Sequence, residues 1–240
     1  MSTWKTGVHQ EEIETMTTML KRVLAVAGLL ALSVPAVQAG QDAGPILFET
    51  RQLDLIEKGH AVTYRFVKKG SDERLVGKDY ADDLSLGVTK VDGQGSRDVV
   101  FQVFTGASAR DPQNWPELTI NPLFIWYLDR TVSTFNALAG GSQQYLKHKI
   151  REALGEAKAE AVKVTYDGKE VDGFALKIVP FESDPNASKM QGFHKTAMTI
   201  VVSNQVPGYF VDLKTNFVST QAAGPELEER VKVVGLGEAK

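Results

Sequence analysis

The sequence predicts an α+β domain in which a mostly antiparallel sheet packs against a helical hairpin. Three observations carry that expectation. Apolar and polar residues alternate in several runs on either side of the chain's middle, the period-two mark of strands with one buried face. Between those runs, apolar residues of the segment 121–154 recur at three- and four-residue spacing, as in helices facing a core. Strand–helix–strand alternation of the kind that builds a parallel sheet is absent, as is any internal repeat.

In chain order, Leu47–Ile56 is ambiguous between a short helix and a strand. Val62, Tyr64 and Phe66 then alternate with Thr63 and Arg65, predicting a strand over 61–67, and Lys68–Asp72 reads as a polar turn. Leu84, Leu86 and Val88 alternate again, Asp92-Gly93-Gln94-Gly95 turns the chain, and Val99, Phe101 and Val103 return it, so a hairpin is expected. With Pro112 and Pro116, the segment 107–117 reads as a loop. Asn121 suits an N-cap and Pro122 a first helical position; Phe124, Leu128, Val132, Phe135 and Leu138 form the stripe of the helix that follows. Gly140-Gly141 ends it, and Ser142 is placed to cap a second helix striped by Leu146, Ile150 and Leu154. So short a link predicts a helical hairpin. Strands resume at Val162, Val164 and Tyr166, turn at Asp167-Gly168, and return through Phe174, Leu176 and Ile178 to Pro180. A long polar connection spans 181–193. Met198, Ile200 and Val202, a turn at Val206-Pro207-Gly208, and Tyr209, Val211, Leu213 and Phe217 make the next hairpin. Val231 and Val233 add a last short strand.

Ahead of this domain lies the pattern of a cleavable export signal over 19–39. Lys21 and Arg22 precede the apolar run Val23–Leu32, Pro35 breaks it, and Val37-Gln38-Ala39 sets small or modest residues where a signal peptidase reads. That run is about half of the roughly 20 residues needed to cross a bilayer core, so no transmembrane anchor is expected. Residues 1–18 carry Glu11, Glu12 and Glu14, which a signal's basic start lacks. A start at Met16 or Met19 is therefore expected, with 1–18 a misassigned extension. The mature chain, 40–240, is then a single domain located in the periplasm.

The 240-residue chain has no cysteine. Thiol nucleophiles, iron–sulfur clusters, zinc–thiolate sites and a lipid-modified N-terminal cysteine are excluded. About 200 mature residues suffice for a core without disulfide staples. A formal net charge of −3 offers no basic field for nucleic acid. His60, His148 and His194 show no HxH or HExxH spacing, and Ser108, Ser142 and Ser203 lack the G-x-S-x-G elbow. No phosphate-binding glycine loop occurs. No cofactor and no metal is expected, and catalysis is disfavoured without being decided. Asp79, Asp82 and Asp83 cluster before a strand without EF-hand spacing, and a solvated acidic turn is the preferred reading over a divalent-cation site.

Two features could bind a ligand. The run Leu123–Leu128 (LFIWYL) is the most apolar of the mature chain, and successive helical residues point about 100° apart. Either this turn is buried on several sides or part of it faces a groove, where Phe124, Trp126, Tyr127 and Leu128 would line an apolar ligand site. The second feature is an anion site at the start of the second helix, from Gly141, Ser142 and Lys147. Its rival is a capped helix junction with a solvated basic face.

The stretch NPLFIWYLDRTVSTFNALAGGSQQYLKHKIREAL, with AVTYRF before it and VTYDGKEV, PFESDP and VPGYF after it, resembles a family of exported Gram-negative proteins over about Phe48 to Phe217. The resemblance implies an exported address and a curved antiparallel sheet with helices against one face. That layout is similar in architecture to outer-membrane lipoprotein carriers. Lys147 and Lys149 stand where the family pattern implies arginines, which weakens bidentate anion binding there. The leading expectation is a periplasmic, non-enzymatic binding or carrier protein for an apolar or lipid-like ligand. The alternatives are an envelope assembly factor with a protein partner, and a hydrolase whose site is cryptic in the sequence.

Overall fold

The strands form where alternation lets one face meet a core and the other meet water. The computed structural model describes residues 40–239; the expected signal at 19–39 and the expected extension at 1–18 lie outside them. In chain order come β1 (Gln41–Asp42), α1 (Ala43–Phe48), β2 (His60–Gly70), α2 (Glu73–Val76), β3 (Tyr80–Val91), β4 (Arg97–Gln102) and β5 (Gln113–Leu118). Then follow α3 (Leu123–Ala139), α4 (Gln143–Glu156), β6 (Lys158–Tyr166), β7 (Lys169–Ile178), β8 (Ala197–Val202), β9 (Phe210–Val218) and β10 (Glu226–Glu238). The ten strands make one open sheet in the order β1-β6-β7-β8-β9-β10-β2-β3-β4-β5. Its described pairings are antiparallel. Bulges at Val88–Lys90, Arg97–Val99, Val201–Val202 and Val233–Gly235 shift the register and bend their strands. This is the expected α+β architecture.

One face of the sheet is apolar. Val62, Tyr64 and Phe66 of β2, Leu84, Leu86 and Val88 of β3, and Met198, Ile200 and Val202 of β8 are buried there. Residues of opposite parity carry exposed ion pairs, Arg65–Asp83 at 2.9 Å and Lys163–Asp172 at 2.6 Å. Helix α3 lies on the apolar face: Phe124 stacks on Phe210 of β9 with ring centroids 5.0 Å apart, and Phe135 meets Phe181 at 4.4 Å. Helix α4 packs on α1 and α3 with Leu146, Ile150 and Leu154 buried. Among the described residues, no helix is long and apolar enough to cross a membrane.

Turns follow the sequence closely. Asp167 and Gly168 both take positive φ (49° and 71°), the two-residue turn that matches strand twist. The side chain of Asp92 accepts the backbone N–H of Gln94 and Ser96, closing the β3–β4 turn.

Four segments differ from expectation. The presumed loop 107–117 contains β5, in which Pro116 is tolerated because β5 pairs only with β4 at the sheet's edge. Lys68–Gly70 continue β2 because β10 extends alongside them, pairing Leu227 with Gly70. The short strand expected at 231–233 is a 13-residue central strand between β9 and β2. Its alternation is masked by Glu229, a charged residue on the core face. The ambiguous segment resolves into α1 and turns that bury Leu53 and Ile56.

Candidate functional site

The start of α3 sends its side chains three ways. Leu123, Phe124 and Tyr127 face the sheet and are buried. Trp126 turns toward β2 and the segment that follows β4, its ring edge-on to Phe66 and to Phe104, both at 5.9 Å. Ile125 is 48% exposed on the outer ridge, and half-buried Leu128 faces α4. Burial and groove lining thus divide the LFIWYL run between them. The buried side is packed with Tyr64, Phe66, Tyr127, Phe135 and Phe217, all at 2% exposure or less.

Two open grooves flank the ridge. The first, about 370 Å³, lies between α3 and the β4–β5 edge and mixes Phe104, Trp115 and Trp126 with Arg110, Gln113 and Arg130. The second, about 350 Å³, lies between α1, α3 and α4. Phe48, Ile125, Leu128, Val132, Ile150 and Leu154 line it, and Asp129, Lys147 and Arg151 stand at its rim. Phe48 comes from α1 and is 49% exposed. Phe48 and Ile125 thus stand open to solvent above a floor of buried aliphatic side chains, Val132, Ile150 and Leu154, an arrangement that an apolar ligand or partner would cover.

Polar contacts fix α3 above the sheet. Glu229, 2% exposed, accepts from Arg130 Nη2 at 2.6 Å and Nε at 3.0 Å, and its second oxygen accepts from Thr134 at 3.1 Å. The Arg130 guanidinium also sits 5.2 Å from the Phe66 ring centre. Burial works against its charge, but the hydrogen bonds and field of Glu229 prevail and hold its pKa above the ordinary arginine value. The Tyr127 hydroxyl is 2.7 Å from that of Thr215, which lies 3.1 Å from that of Thr131. Burial drives the Tyr127 pKa well above the tyrosine range, against the pull of those hydroxyls.

The residues of the anion hypothesis are arranged as a helix junction. Ser142 takes the N-cap position with extended backbone, but its side chain makes no capping bond, so capping by its hydroxyl is not observed. The Gly141 carbonyl accepts from Asn136 Nδ2 at 2.6 Å. Lys147 reaches across to Asp129 of α3 at 2.7 Å. By contrast, Asn121 performs as a cap: its Oδ1 accepts the Leu123 N–H at 2.9 Å, with Pro122 between them.

The acidic cluster disperses. Asp79 accepts the Gly70 N–H, Asp83 pairs with Arg65, and Asp82 accepts three backbone N–H groups, from Asp83, Thr105 and Gly106. No group of three metal-ligating side chains occurs among the described residues. The Ser203 hydroxyl donates to the Asp172 carbonyl and accepts the Gln205 N–H, a turn-closing role.

Of the four residues expected to line an apolar site, Trp126 and Leu128 line the grooves while Phe124 and Tyr127 are buried; Phe48 and Ile125, at the mouth of the second groove, were not expected there. Ile150 and Leu154 were visible as a helical stripe, and the docking of α4 onto α1 and α3 buries that stripe as the floor of the groove.

No family model matches the sequence, and no curated protein matches it. Among solved structures, a LolA superfamily protein from Nitrosomonas europaea aligns over 83% of this chain and 94% of its own, at 8% identity and a TM-score of 0.21.

Proposed function

We propose that this protein is an exported, non-enzymatic binding or carrier protein for an apolar or lipid-like ligand, held in the groove between α1, α3 and α4. The observation that carries the proposal is the exposed pair Phe48 and Ile125, each about half accessible, at the mouth of a groove with an aliphatic floor and the charged groups of Asp129, Lys147 and Arg151 at its rim. An exported address in the periplasm rests on the apolar run Val23–Leu32 and the Val37-Gln38-Ala39 site that follows it. The reading is tested by native mass spectrometry and solvent extraction of the protein purified from exporting cells, followed by titration with a fluorescent apolar probe. Co-purified lipid, or probe binding lost in Ile125→Asp, supports the proposal; a ligand-free protein that leaves the probe unbound overturns it.

A second reading, an envelope assembly factor with a protein partner, is favoured by the openness of both grooves, since an open strip suits a partner's helix as well as a lipid chain. Cross-linking in cells from position 125 separates the two: a discrete protein adduct favours this reading, and adducts to lipid favour the first.

A further inference from the structure

The apolar groove does not end at its rim. Its two cations, Lys147 and Arg151, also border a second surface on α4, a shelf formed with Gln143, Gln144 and His148. Positions 143, 147 and 151 repeat at four-residue spacing with 144 and 148 beside them, so the shelf is one face of α4 running back to its N-terminus. Its side chains are amides, an imidazole and two cations, with no carboxylate among them. Among the described residues Asp129 is the one acid at the groove's rim, and Lys147 engages it at 2.7 Å. Arg151 takes part in none of the ion pairs formed among the described residues and is exposed. An aliphatic trough thus opens directly onto a cationic shelf, and one cation at their junction is uncommitted.

We infer that the occupant of the groove is an anionic single-chain amphiphile, its chain across Phe48, Ile125 and Leu128 and its carboxylate or phosphate head on Arg151. The inference rests on the carrier reading above and adds the sign and place of the head. Chemistry selects that sign. A cationic head would be set against Arg151 without a free acid to meet it, whereas an anionic head gains a charge-assisted contact with Arg151.

Calorimetric titration of the delipidated protein, purified from expression of the full chain, tests this with three twelve-carbon amphiphiles below their micellar concentrations. These are dodecyl phosphate, dodecyltrimethylammonium and an uncharged dodecyl polyoxyethylene ether, with inorganic phosphate as a chain-free control. Dodecyl phosphate is expected to bind about ten-fold more tightly than the ammonium, the scale of one charge-assisted contact, and the gap should shrink with added salt. Arg151→Glu should close or reverse the gap while leaving the ether's affinity unchanged, and the uncharged Ile125→Ser should weaken all three. Equal binding of the three amphiphiles, with Arg151→Glu silent, overturns the head-group inference and leaves the carrier reading standing. Inorganic phosphate binding as tightly as dodecyl phosphate overturns it in favour of a plain anion site. Failure of every amphiphile to bind overturns both.

Discussion

The carboxylate of Glu229, at the centre of β10, meets the guanidinium of Arg130 on α3 at 2.6 and 3.0 Å, in a position where Glu229 is almost wholly sealed from water. Directly across the ladder from Glu229 stands Thr215 of β9, which lies against the hydroxyls of Tyr127 and Thr131. Two neighbouring strand positions that face the core thus present polar groups to α3, and α3 answers each of them.

Removing one partner of this pair should be far worse than removing both. Arg130→Met strands a buried carboxylate and should cost about 3–5 kcal/mol, while the double variant Arg130→Met/Glu229→Leu should recover most of that loss. Urea unfolding of the two single variants and the double variant measures the coupling directly.

Asn121 joins the start of α3 to β2 and to the β8–β9 turn. Its amide nitrogen donates to the Tyr64 hydroxyl at 2.9 Å and to the Gly208 carbonyl at 2.7 Å. Asn121→Ala should therefore cost about 1–3 kcal/mol, through a lost cap and buried groups left without partners. Tyr64→Phe should cost less, about 1 kcal/mol, because Asn121 still satisfies the Gly208 carbonyl. Gly208→Ala should exceed Tyr64→Phe, since φ is +77° there and a Cβ would run into the Tyr64 hydroxyl. Thermal unfolding of the three variants orders them.

Asp82 ties the 104–106 segment to β3. Burial pushes its pKa up, but the backbone N–H groups of Asp83, Thr105 and Gly106 outweigh burial and leave it below the ordinary aspartate value. A carboxylate with a depressed folded-state pKa stabilises the fold above its unfolded pKa of about 3.9, and that stabilisation is lost as pH falls through the folded value. Asp82→Asn should accordingly be less stable than wild type at pH 7, with the difference shrinking below about pH 4. Denaturant midpoints across that range check the sign.

Phe48 and Ile125 are half exposed, so Phe48→Ser and Ile125→Asp should each cost about 1–1.5 kcal/mol, well below the loss from emptying a fully buried site. Each should nonetheless weaken binding of an apolar fluorescent probe. A loss of stability on the scale of a fully buried site would assign these residues to the core instead of the groove.

Strand and helix periods were legible in the residues themselves. The Tyr64, Leu84, Ile200 and Leu213 alternations and the Phe124–Leu138 stripe each report a local geometry with one apolar side, and local geometry is what a sequence window encodes. Asn121-Pro122 and Asp167-Gly168 were readable for the same reason, their dihedral preferences being intrinsic. The central rank of β10 was hidden, because Glu229 interrupts its apolar face and becomes tolerable only when Arg130, 99 positions away, is brought over it. Strand β5 was hidden because Pro116 forbids a central strand but permits an edge, and edge or centre is a property of the sheet. The groove was hidden most deeply. Its walls come from α1, α3 and α4, and each wall alone reads as an ordinary amphipathic surface. By itself the sequence determined the alternations, the caps and the apolar run of α3. Tertiary packing alone decided which side chains of that run were buried and which were left facing water, because burial belongs to pairs of surfaces and not to either one.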